Sequence, residues 1–148
     1  MELNEIYAPV ENDLIKVEEI LNQISRVDFS HLAELVDYSL KNTGKMIRPA
    51  LTLLAGKFYN YNLDLLLNMA TSVEVMHTAT LVHDDAIDHS AMRRGRSTVY
   101  RLWGDEQAVL LGDYLFAEAG GLCAATGNLR VIKQFSALST ADFPGFHD

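Results

Sequence analysis

Residues 63–88, LDLLLNMATSVEVMHTATLVHDDAID, read as one long helix that begins apolar and ends acidic. At about 100° per residue, His77, Leu81, Asp84 and Asp88 fall on one stripe of it. Asp84 and Asp88 are one turn apart, and carboxylates at i and i+4 have Cβ atoms about 5–6 Å from each other. That spacing suits hard divalent cations whose remaining ligands are waters and phosphate oxygens. The plain alternative is a solvated helix end. Acids at a helix C-terminus oppose the macrodipole, however, so a bound cation would offset an unfavourable placement.

Just beyond the helix comes Arg93-Arg94-Gly95, and four of the twelve basic residues (Arg93, Arg94, Arg96 and Arg101) crowd into this region. Guanidinium forks match phosphate oxygens. Carboxylates followed by arginines therefore point to Mg²⁺ and a diphosphate. Two adjacent arginines do not easily face the same way, which would let them serve two different diphosphates. Without a ligand, the same loop reads as a basic surface neutralising the nearby acids.

A second basic element, Gly44-Lys45-x-x-Arg48-Pro49, opens another helix, where backbone N–H groups favour anions. Its glycine spacing is not that of a Walker loop. His77 sits on an apolar helix face. Taken alone, it would be a core histidine satisfied by a hydrogen bond.

The rest of the chain also reads as helices. Val10, Leu14, Val17, Leu21 and Ile24 give helical spacing over 4–25, with Pro9 tolerable only near a first turn. Ser30 is expected to N-cap a second helix, with Glu34 completing a capping box, and that helix ends near Asn42-Thr43-Gly44. A third runs from Pro49 to about Tyr59. Segment 89–97 is expected to be a loop. Further helices are expected from Asp105 to Ala125 and, after Gly127-Asn128, to about Ser139. No alternating strand pattern occurs, and the fold class is all-α, an antiparallel helical bundle.

At 148 residues the chain fits one domain, and 49% hydrophobic residues exclude disorder. A net charge of −8 argues against nucleic acid as a partner. Cys123 is alone in an apolar run, so a disulfide framework is absent and a reducing, cytoplasmic setting is expected. The acidic N-terminus lacks the plan of a signal peptide. The apolar stretch from Ala108 to Thr126 is interrupted by Asp113 and Glu118, so no membrane span is expected there.

Gly44-Lys45-x-x-Arg48-Pro49, Glu74-x-x-His77, His83-Asp84-Asp85-x-x-Asp88 and Arg93-Arg94-Gly95 stand in the order and spacing of the trans-polyprenyl diphosphate synthases. Leu111-Gly112-Asp113-Tyr114-Leu115 and Thr126-Gly127-Asn128 also resemble that family, most of all its octaprenyl and heptaprenyl members. The resemblance implies a bundle of the isoprenoid synthase type, here incomplete. It implies a transferase that condenses isopentenyl diphosphate with an allylic polyprenyl diphosphate, making a medium- or long-chain product. Lys45, Arg48, His77 and Arg94 would bind isopentenyl diphosphate. Asp84 and Asp88 would hold Mg²⁺ on the allylic diphosphate, which Arg93 would also contact. Asp85 belongs to the motif as a less direct ligand. Ala79, five residues before Asp84, is small where short-product members carry an aromatic, which implies a longer product.

The family pattern also includes a second aspartate-rich motif, which these residues do not carry; Asp105, Asp113, Asp142 and Asp148 are isolated. The expectation is therefore the N-terminal half of a polyprenyl synthetase domain over 1–138, with an unrelated-looking tail at 139–148. Such a chain would be inactive alone, and its complete form would be a homodimer. The alternative is a non-catalytic subunit or remnant that binds diphosphate or a partner bundle. A terpene cyclase is disfavoured, because a cyclase has no use for an isopentenyl-binding set.

Overall fold

The computed structural model describes residues 1–41 and 44–141. Asn42 and Thr43, and most of the expected tail, Asp142 to Asp148, lie outside the described residues. The element order is α1 (Leu3–Tyr7), a 3₁₀ turn (Ala8–Val10), α2 (Glu11–Ile24), α3 (Ser30–Leu40), α4 (Ile47–Gly56) and α5 (Leu63–Ile87). Then follow β1 (Met92–Arg93), β2 (Arg96–Ser97), α6 (Val99–Trp103), α7 (Asp105–Ala124) and α8 (Leu129–Ala141). The fold is all-α, with one two-stranded ribbon.

The long helix is the axis of the molecule. α5 packs along α7 on one side and against α4 and α2 on the other. Small buried residues let α5 and α7 approach: Ala70, Ala79 and Ala86 on one, Ala108, Gly112 and Ala119 on the other. The hydroxyl of Ser72 donates across this seam to the Ala119 carbonyl at 2.8 Å. Leu53, Leu111 and Leu115 are fully buried, each contributing about 1.5–3 kcal/mol on transfer from water. By length and composition α5 is apolar enough to cross a membrane. In this fold it is the core helix, and it buries Thr71, Ser72, Glu74, Thr78 and Asp85 along with its apolar residues.

Three local expectations are corrected. The single helix over 4–25 is interrupted by the 3₁₀ turn at Ala8–Val10, because Pro9 lacks an N–H and its ring obstructs the preceding turn. Ser30 is already helical; Phe29 is the N-cap, with no side-chain hydrogen bond, so the Ser30–Glu34 capping box does not form. The segment 89–97 holds an antiparallel hairpin in which Arg93 pairs with Arg96 and Met92 with Ser97. Arg94 and Gly95, the two connecting residues, both have positive φ, at 50° and 75°. This is the backbone that a two-residue hairpin turn requires.

Other boundaries agree within a few residues. α4 starts at Ile47, which puts Pro49 in its first turn as expected. Asn128 caps α8, its Oδ1 accepting from the amides of Arg130 at 3.0 Å and Val131 at 3.3 Å. α8 continues through Ser139 to Ala141.

Candidate active site

Four segments meet at a cavity of about 390 Å³, within the usual range for a small-molecule site. α5 contributes Glu74, His77, Thr78, Leu81, Val82 and Asp85; the hairpin contributes Arg93, Arg94, Arg96 and Ser97; α4 contributes Arg48, and α3 adds Tyr38 and Ser39. The α5 positions recur every three or four residues, so one helix face supplies a whole wall.

The hairpin is anchored from several directions. Tyr38 donates its hydroxyl to the Ser97 carbonyl at 2.6 Å, and its ring lies under the Arg96 guanidinium at 3.5 Å. Thr98 donates to the Ser90 carbonyl at 2.6 Å, then caps α6 by accepting from the Arg101 amide. Arg93 forks onto Asp85: Nη2 reaches Oδ1 at 2.8 Å, and Nε lies 3.1 Å from both carboxylate oxygens. That hydrogen-bonded pairing raises the Arg93 pKa, with smaller contributions from the charges of Asp84 and Asp88. Arg94 turns the other way. A Cβ placed on Gly44 would lie 3.4 Å from its Nη1, so Arg94 reaches the turn that opens α4.

The expected site residues divide into those that line the cavity and those that do not. Arg48, His77, Arg93 and Arg94 line one cavity, so the two adjacent arginines share it rather than facing separate compartments. Lys45 is exposed and does not line it; its carbonyl accepts the Tyr7 hydroxyl at 2.9 Å. Asp84 and Asp88 are exposed at the end of α5, and the Asp84 carbonyl accepts the Asp88 amide at 2.8 Å. Asp85 is the carboxylate in the wall, with a side chain 9% exposed. Ala79 is fully buried in the core and does not line the cavity. Reasoning from sequence missed Tyr38, Ser39 and Ser97, which carry no motif, and counted Arg96 only as one of the basic crowd.

Electrostatics follow from this crowding. Burial pushes the His77 pKa below its ordinary 6.5, and Arg48, Arg94 and Arg93 push the same way. His77 is therefore a neutral imidazole near pH 7, able to donate or accept. Burial raises the Glu74 pKa, while Arg48 and Arg94 draw it back down. Four guanidinium groups and a neutral imidazole around a small cavity suit an anion with many oxygens.

For a cation, the described residues gather no group of three His, Cys, Asp or Glu. Asp84 and Asp88 offer a two-carboxylate wall open to solvent. This fits Mg²⁺, which keeps several waters and takes one or two carboxylates together with substrate phosphates.

The polyprenyl synthetase family model matches residues 29–142. The chain belongs to the polyprenyl synthetase family. It is 39% identical over 130 residues to heptaprenyl diphosphate synthase component 2 of Geobacillus stearothermophilus, covering 88% of this chain and 41% of that relative. Among solved structures, a decaprenyl diphosphate synthase from Rhodobacter capsulatus superposes with a TM-score of 0.86 at 34% identity, covering 93% of this chain and 42% of that one. A polyprenyl synthase from Caulobacter crescentus CB15, complexed with calcium and isoprenyl diphosphate, gives 0.83 at 31% identity over 95% of this chain and 42% of that one. This polyprenyl synthetase chain thus spans about two fifths of the length of those relatives.

Packing accounts for Gly112, in the stretch 111–115. The His83 imidazole lies where a Gly112 side chain would begin. The His83 Nε2 is 3.0 Å from the Val109 carbonyl and 3.4 Å from Asp113 Oδ1. The ring stacks on Phe116 at a tilt, with centroids 5.6 Å apart. Glycine at 112 lets the residue before Asp84 dock on α7, which fixes the acidic end of α5.

Proposed function

We propose that this chain supplies one wall of a prenyl-elongating site that condenses isopentenyl diphosphate with an allylic polyprenyl diphosphate, in isoprenoid biosynthesis. The observation that carries the reading is the cavity that gathers Arg48, His77, Arg93 and Arg94 beside the exposed pair Asp84 and Asp88. A relative solved with calcium and isoprenyl diphosphate supports it.

On this reading Arg48, Arg94 and His77 hold the diphosphate of isopentenyl diphosphate, and Lys45 at the mouth adds charge. Arg93 uses Nε and Nη2 on Asp85, so Nη1 is the nitrogen that meets an oxygen of the allylic diphosphate. Asp84 and Asp88 would hold Mg²⁺, which when bound supplies positive charge that neutralises the leaving diphosphate. The allylic C–O bond breaks and its electron pair leaves with the diphosphate. The isopentenyl double bond then forms the new C–C bond to the allylic carbon, and loss of a proton restores a double bond. Leu81, Val82 and Val99 on the cavity wall would keep water from the allylic cation that this cleavage leaves. Separate anchors for the two diphosphates set the reacting carbons in register.

The same reading makes the protein cytoplasmic, without a membrane span and without nucleic acid as a partner, and homodimeric in the complete form. The second acidic motif is not among these residues, so binding is the direct readout. Calorimetric titration with isopentenyl diphosphate should give saturable binding that Arg48→Ala and Arg94→Ala each weaken about tenfold or more. Binding that neither substitution changes would refute the assignment.

A further inference from the structure

Glu74 is a cavity-lining carboxylate whose chemistry the diphosphate reading leaves unused. It is 3% exposed, in the middle of α5, and its Oε2 is buried without a hydrogen-bond partner among the described residues. Burying a carboxylate oxygen unpaired is costly. Thr78, one turn on, donates to the Glu74 backbone carbonyl rather than to the carboxylate. The groups that answer Glu74 are cationic, Arg48 from α4 and Arg94 from the hairpin, and both line the same cavity and act on its charge.

Among the described residues, neither arginine side chain has a hydrogen bond or ion pair that would hold it there. Arg48 is exposed in the first turn of α4. Arg94 is exposed at the hairpin tip, on a backbone with φ of 50° that most residues avoid. Arg93, in contrast, has Asp85, and Arg96 has the Tyr38 ring. Two like charges converging on one space repel unless a counter-charge lies between them and the wall.

We propose that Glu74 is a positioning residue: its buried carboxylate faces Arg48 and Arg94 and keeps both guanidinium groups turned into the cavity, ready for an anion. The proposal rests on the diphosphate reading for what the anion is, but not for the orientation of the arginines. It also opposes simple charge counting. Removing a negative charge beside an anion site should tighten anion binding, whereas losing the group that orients two forks should loosen it.

The test is Glu74→Gln, a neutral side chain of the same shape, with Glu74→Asp as the charge-keeping variant. Inorganic pyrophosphate is the probe, circular dichroism checks the fold, and ¹⁵N NMR follows the Nε–Hε signals of Arg48 and Arg94. The expected result is pyrophosphate affinity about tenfold or more lower in Glu74→Gln, partial recovery in Glu74→Asp, and Arg48 and Arg94 signals broadened or shifted to solvent-exposed positions. Tighter or unchanged pyrophosphate binding by a folded Glu74→Gln protein would overturn the proposal. If the unsubstituted protein bound no pyrophosphate, the diphosphate reading would fail. The arginine signals would then decide: unchanged on Glu74→Gln, they overturn the positioning role; shifted, they support it. If Glu74→Gln failed to fold, Glu74→Asp would decide by the same two signals.

Discussion

Arg93 closes on Asp85 through Nε and Nη2 at 2.8–3.1 Å, joining the hairpin to the middle carboxylate of the acidic motif. The three aspartates thereby differ in role, although the sequence presents them together. Asp85 faces into the fold, while Asp84 and Asp88 face solvent. One aspartate sets the position of an arginine, and two stand open to solvent.

Breaking that fork should be felt in stability. Asp85 is largely buried but the Arg93 side chain is 40% exposed, so solvent screening reduces the pair below a fully buried one. Arg93→Ala should cost about 1–3 kcal/mol, and Arg93→Lys should recover only part of it, because an ammonium cannot make the bidentate contact. Urea denaturation checks both values. A double-mutant cycle with Asp85→Asn should give a coupling energy clearly different from zero.

At the seam between α5 and α7, Gly112→Ala should destabilise the chain by about 1–3 kcal/mol, because the added methyl meets the His83 ring. His83→Ala in the Gly112→Ala background should relieve part of that cost. A thermal melt of both variants and the unsubstituted protein measures it, and equal melting temperatures for Gly112→Ala and the unsubstituted protein would contradict the packing described.

His77 should titrate below 6.5, since burial and three arginines disfavour its charged form. The folded pKa is lower than the unfolded one. The stability tied to neutral His77 is therefore full above pH 6.5 and lost as pH falls from there toward the folded pKa. An anion in the cavity reverses part of the shift, so pyrophosphate should raise the His77 pKa toward its ordinary value. NMR titration of the His77 Cε1–H signal, with and without pyrophosphate, measures both effects. A free-protein pKa at or above 6.5 would contradict them.

Ala79→Phe tests the length-control expectation against the packing. Ala79 is fully buried in the core, so the larger ring should cost about 1–3 kcal/mol through overpacking. A shorter product, read in a complete and active form, would then come with a lowered melting temperature. An undiminished melt would show that the ring enters the cavity instead.

Long, strongly patterned elements were legible in the sequence. α5, α7 and α8 follow from apolar spacing and from Gly127-Asn128, and the all-α class follows from them. The hairpin was not, because its strands are two residues each, too short to show alternation; the positive φ at Arg94 and Gly95 is what makes it. Four of the cavity-lining residues were legible as motifs, at 48, 77, 93 and 94, whereas Lys45, read in the same motif as Arg48, does not line the cavity. Tyr38 was not, because a single aromatic on an amphipathic helix looks like any other core residue, and only tertiary folding brings α3 to the hairpin. The stripe through Asp84 and Asp88 already set Asp85 apart, but the pairing of Asp85 with Arg93 was hidden. It depends on which side of the α5 end the hairpin returns.

Asp84→Asn and Asp88→Asn, both at exposed positions, should each leave stability within about 0.5 kcal/mol. Their effect should fall on cation binding, which makes them the sharpest probe. The deciding measurement is calorimetric titration of Mg²⁺ into the protein with a non-reactive allylic diphosphate analogue, alongside the double variant. The prediction is saturable binding that requires both Mg²⁺ and analogue and disappears in the double variant while the melt is unchanged. Absence of an Mg²⁺-dependent signal, or an equal signal from the double variant, would contradict it.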